Sequence, residues 1–109
     1  MRIKDDSVRF VGICPQIVLA LMVANDAFKE FGQEDLVITS VNDAKHSYTS
    51  LHYDGRAVDI RTKNIPRDFV RQLVLHIGEC LGTDFDVLLE DYGGSNEHCH
   101  IEWQPRGPK

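Results

Sequence analysis

The chain is short of several things that would narrow its function quickly. It has 3 cysteines in 109 residues, Cys14, Cys80 and Cys99. They cannot all pair with one another, and none stand in CxxC spacing, so their positions spell neither a disulfide framework nor a thiolate zinc site. They are expected to be reduced and mostly buried. There is no basic block: 12 Lys and Arg stand against 17 Asp and Glu, a net charge of −5. That balance argues against nucleic-acid binding, whose affinity comes from basic side chains neutralising phosphates. Long apolar runs are missing too. The longest, Ile17 to Ala24, falls far short of the roughly 20 residues that cross a bilayer, so membrane insertion is not expected. Met1 to Gly12 is too polar for a secretory signal, which predicts synthesis in the cytoplasm without a signal peptide; action outside the cell would need another route. Repeats and low-complexity segments are absent as well.

What is present suits one small domain, residues 1–109. Apolar residues make up 42% of the chain, enough for a single modest core without covalent staples. Pro15 to Phe31 reads as a helix, with Pro15 in its first turn, Ile17, Leu21, Ala24 and Phe28 at three-to-four spacing, and Gly32 as the stop. Leu36 to Val41 reads as a strand, Asn42 to Ser50 as a polar loop, and Ala57 to Arg61 as a second strand. Asn64 is placed to cap a second helix with Pro66 in its first turn and a stripe of Phe69, Leu73, Ile77 and Leu81, ended by Gly82. Asp84 to Asp91 and His98 to Gln104 read as a closing pair of strands around the Tyr92 to Glu97 loop. The sum is an α+β domain with helices packed on a mostly antiparallel sheet.

Chemistry gathers in two stretches, "SLHYDGRAVDI" from Ser50 to Ile60 and "EHCHIEW" from Glu97 to Trp103. Side chains alternate along a strand, so His98, His100 and Glu102 share one face while Cys99, Ile101 and Trp103 share the apolar one. Asp59 faces away from Val58 and Ile60, and Gly55 permits the reversal that lets His52 and Asp59 converge on the polar face. Two imidazoles and a carboxylate make a three-ligand zinc site with a fourth position open, the arrangement of catalytic rather than structural zinc. Glu97, three residues before His100, is placed to take a proton from water there. Cys99 is expected to pack in the core, and His76 reads as a boundary residue with no ligand role.

The pattern SxHxxGxAxD, followed about forty residues later by ExxH with an overlapping HxH, resembles the zinc D-Ala-D-Ala peptidase family. That family includes phage endolysins and shares its fold with the Hedgehog amino-terminal signalling domain, which "HYDGRAVDI" also resembles closely. The resemblance spans roughly Leu36 to Trp103. It implies zinc ligation by His52, Asp59 and His100, Glu97 as catalytic base, and His98 and His46 as supporting groups around the ligands or the transition state. Ser50 would support the ligand loop, while Lys45 and Tyr92, the latter beside Gly93 and Gly94, would flank the substrate. Glu97 at three residues from the last ligand favours the peptidase side over the Hedgehog side. The arginine that many carboxypeptidase members carry after the first central strand is missing from "TSVNDAKHS", which turns the expectation towards internal bonds of a peptidoglycan stem or cross-link. The expected whole is a monomeric zinc peptidase with peptidoglycan peptides as substrate, acting on the cell wall after release or lysis. The alternatives are a Hedgehog-like zinc-binding interaction module without turnover and a phage structural component in which zinc only holds the fold.

Overall fold

A computed structural model of the chain describes residues 1–10, 12–41 and 55–105. Lys45, His46, Ser50 and His52 lie outside the described residues. The first helix, α1 (Pro15–Glu30), starts after an extended Cys14 and carries Pro15 where its missing N–H costs nothing. It ends in a Schellman turn: Gly32, at φ +75°, donates to the Lys29 carbonyl at 3.0 Å, and Gln33 donates to that of Phe28 at 2.8 Å.

The second helix, α2 (Val70–Leu81), begins later than the Asn64 cap predicts. The reason is Arg67. Its guanidinium binds the Thr62 carbonyl at 2.7 Å and the Ile65 carbonyl at 2.9 Å, and the latter is an acceptor that a helix capped at Asn64 would use. The Phe69 amide therefore closes a turn onto Pro66, and Asn64 donates to the Asp35 carbonyl instead of capping.

Five strands form one sheet: β1 (Arg2–Ile3), β2 (Val37–Val41), β3 (Ala57–Arg61), β4 (Phe85–Glu90) and β5 (His98–Trp103), in the order β1-β2-β3-β5-β4. β1, which the sequence pattern does not announce, lies parallel to β2; every other pairing is antiparallel. The helices cover one face. Ile17, Leu21 and Phe28 of α1 and Leu73 and Ile77 of α2 meet Ile38, Val58, Ile60, Cys99 and Ile101 of the sheet in a single cluster. This is the α+β architecture the pattern predicts. Of the cysteines only Cys99 is buried; Cys14 is half-buried and Cys80 exposed, all three as free thiols. Among the described residues no helix is long and apolar enough to cross a membrane.

Candidate metal centre

With one face of the sheet given to the helices, strand alternation sends every second residue of β3, β4 and β5 to the other. Register then decides which polar groups meet. Asp59 of β3 stands opposite His100 of β5, and Leu88 of β4 lies on His100's other side. One step along, Glu102 faces Asp86; one step the other way, His98 faces Glu90.

Asp59, His98 and His100 each offer a ligand atom, all within 4.8 Å of one another. His100 Nδ1 lies 2.7 Å from Asp59 Oδ1, and His98 Nε2 lies 3.8 Å from the same oxygen. The remaining nitrogen of each ring is already held by an acceptor. His98 Nδ1 is 2.6 Å from the Asn96 carbonyl, and His100 Nε2 is 2.6 Å from Glu102 Oε1. A carbonyl and a carboxylate only accept, so these nitrogens carry protons and the other nitrogen of each ring faces Asp59. An anchored N–H on the far side is how metal-binding imidazoles are usually oriented. The donor set of two imidazoles and one carboxylate fits zinc with a position to spare.

Proton affinity follows the same geometry. Burial pulls the His100 imidazole down, but hydrogen bonds to Asp59 and Glu102, with the charges of both, carry it up to about 9. Without a metal, His100 is an imidazolium clamped between two carboxylates. Cys99, between the two histidines, points into the core; burial first, then the charges of Asp59 and Glu90, push its thiol up to about 12. It packs as expected and is no ligand. Beside Asp59 in register, Ser40 keeps a buried hydroxyl with no hydrogen-bond partner among the described residues.

Two expected site residues are elsewhere. Glu97 continues the alternation of Cys99 and Ile101 and so falls on the buried side, away from His98 and His100. Its Oε1 accepts from the Thr62 hydroxyl at 2.6 Å; its Oε2 accepts from Arg67 Nη1 at 2.6 Å and from the Gly93 amide at 2.9 Å. Burial would raise this carboxyl, yet the bonds from Arg67, Thr62 and Gly93 and the Arg67 charge bring it down to about 2. A carboxylate so engaged is a poor proton acceptor, and its three partners hold it apart from the two imidazoles. Tyr92 turns towards α2 rather than the cluster, with Arg71 at 4.3 Å and Arg67 at 5.8 Å from its ring centre.

The carboxylate that does face the cluster is Glu90. Its Oε1 lies 3.0 Å from His98 Nε2 and 3.9 Å from His100 Nδ1, and its side chain is 46% exposed, so it remains open to water and substrate. In sequence it is separated from His98 by a loop. Only the β4–β5 register brings it in, and the strand alternation of β4 was the signal that could have found it.

Compared with known families, residues 14–76 match the Hedgehog amino-terminal signalling domain. The match takes in Asp59 and stops before β4 and β5, so Glu90, His98 and His100 rest on the geometry alone. No curated protein matches the chain.

Proposed function

The chain belongs to the Hedgehog amino-terminal signalling domain family, and from that premise we propose that it is a zinc-dependent peptidase built on this fold. Asp59 and His100 hold the ion, with a third ligand, the imidazole of His98 or His52. The observation that carries the reading is the convergence of Asp59, His98 and His100 with a fourth group, the accessible carboxylate of Glu90, against the same nitrogens. A purely structural ion needs no such neighbour. Zinc, when bound, supplies Lewis-acid polarisation of a carbonyl and acidifies water. Glu90 receives the proton of the attacking water and returns it to the leaving amine, a shuttle for which its reach and exposure suit it. Where His52 is the third ligand, the His98 ring stays beside Glu90, 3.0 Å from its Oε1, and holds it near the site.

The substrate class follows from the resemblance of SxHxxGxAxD and HxH to the D-Ala-D-Ala peptidases: stem or cross-link peptides of peptidoglycan, reached after release or lysis, by a monomer. A second reading is favoured by the family match and by the structural use of Glu97: a metal-bearing interaction module without turnover.

Digestion of purified peptidoglycan and defined muropeptides separates the two. The zinc-loaded protein is expected to release new amino groups, and Glu90→Gln to keep its zinc while losing about 10²–10⁴ in rate. Cleavage by Glu90→Gln at the wild-type rate would remove Glu90 as the proton acceptor. Inactivity of the zinc-loaded wild type on every wall peptide would leave the interaction module standing.

A further inference from the structure

A second set of metal-ligand side chains lies where the two helices meet, on the opposite side of the sheet from the cluster above. Glu30 is the last residue of α1, and His76 and Cys80 stand four apart on α2, hence on one helical face. Both neighbours of His76 address the same ring nitrogen. Glu30 Oε2 lies 2.9 Å from Nε2, and Cys80 Sγ lies 3.7 Å from it. The ring is steadied from the side by Phe31, 5.8 Å between ring centres. Cys80 is exposed, and the side chains of His76 and Glu30 are 35% and 62% exposed, so an ion in solution reaches all three without opening the core.

We propose that Glu30, His76 and Cys80 form a second site for a borderline-soft divalent cation of the zinc type, joining the end of α1 to α2. Zinc bound at about 2.0 Å to nitrogen and about 2.3 Å to sulfur holds those donors about 3.5 Å apart in a tetrahedron, and nitrogen and oxygen about 3.3 Å apart. The two separations around Nε2 bracket these values, while Glu30 and Cys80 come within ligand distance of each other only when the ion draws the exposed Glu30 carboxylate in through a change of rotamer. A thiolate with an imidazole selects zinc-like ions over magnesium or calcium, which take oxygen ligands. Cys14 is on no such face, and Cys99 is sealed in the core.

Cobalt(II) is the probe, because a cobalt–thiolate bond gives a near-ultraviolet charge-transfer absorption that the Asp59, His98 and His100 cluster, lacking a thiol, cannot produce. Titration of the reduced full chain with cobalt chloride is expected to raise this band to saturation by two equivalents, one for each proposed site, and zinc to bleach it. Cys80→Ser should abolish the band and His76→Ala should nearly do so. Glu30→Gln should weaken cobalt binding about ten-fold or more. His100→Ala should leave the band intact, which separates this site from the one proposed above. No band in the wild type under excess cobalt, a band of equal intensity in Cys80→Ser, or one indifferent to His76→Ala would each overturn the three-residue site. All three substitutions fall on exposed or half-exposed positions, and circular dichroism of each variant confirms that the fold is retained.

Discussion

Glu97 accepts hydrogen bonds from Thr62, Arg67 and the Gly93 amide, and through them joins the loop before β5 to the turn before α2. Its carboxyl titrates at about 2 in the folded chain against an ordinary 4.5. A depressed folded value stabilises the protein above the unfolded value, and that contribution drains away as pH falls from about 4.5 towards 2. Glu97→Gln is therefore expected to cost about 1–3 kcal/mol at pH 7, below the roughly 3–5 kcal/mol of breaking a fully buried pair, because Arg67 is itself 45% exposed. Urea melts at pH 7 and pH 3 check this: the gap between wild type and variant should shrink in acid, and a constant gap would mean the carboxylate is not the group responsible. At the same scale, the third zinc ligand is decided by two substitutions. Asp59→Ala and His100→Ala should each lose one equivalent of zinc by elemental analysis. Of His98→Ala and His52→Ala, one should lose it and the other keep it, since three protein ligands leave a position open. Loss in both would describe a closed, four-ligand site and end the case for catalysis there.

Elements position these residues, and a single glycine governs how β3 is entered. Gly55 sits at φ +68°, and a methyl group there would collide with the Gly12 carbonyl and press on Ile13 Cα at 2.7 Å. The same crossing is tied by the Cys14 amide donating to the Gly55 carbonyl at 3.0 Å. Gly55→Ala thus meets both a left-handed backbone and a backbone obstacle, and should destabilise by about 3 kcal/mol, read as a lowered melting temperature. A variant within about 0.5 kcal/mol of wild type, the ordinary range for surface changes, would mean the two segments do not cross there. A glycine at position 55 was singled out in the sequence for a reversal that lies partly outside the described residues; both helices and, among the described residues, four of the five strands were legible because each carries its own periodicity. The polar face of β5 was legible for the same reason. The bonds of Glu97 were not legible, because spacing along the chain says how near two residues are, not which side of a strand each takes; one position before His98 is the other side. Glu90 was passed over for the converse reason. It is eight residues from His98 in sequence and directly opposite it in the sheet. The late start of α2 was hidden because the Arg67 side chain, not local propensity, binds the Ile65 carbonyl that an earlier helix would have used.

On the scale of the whole molecule, the face opposite the helices concentrates negative charge: Asp59, Asp86, Glu90 and Glu102 surround two imidazoles on three adjacent strands. An ion bound there ties β3 to β5 across the middle of the sheet, so its binding energy becomes folding energy. At a free zinc concentration about 100 times the dissociation constant the gain is about 2.7 kcal/mol, or roughly 10–20 °C in melting temperature for a domain of this size. The size of that gain must depend on pH, and His100 sets its sign. The folded imidazole titrates at about 9 against an ordinary 6.5, so the metal-free protein draws full stabilisation from this group below 6.5 and loses it as pH rises through about 9. Zinc needs the Nδ1 atom that faces Asp59, and the proton there has to leave before it binds. Raising the pH from 6.5 to 8.5 therefore weakens the metal-free fold and strengthens zinc binding together. Thermal melts with EDTA and with buffered zinc should show the zinc-induced rise in melting temperature growing over this interval, whether or not the domain cleaves anything. A rise that is equal at the two pH values would detach His100 from the metal, and no rise at saturating zinc would remove the ion from this face altogether.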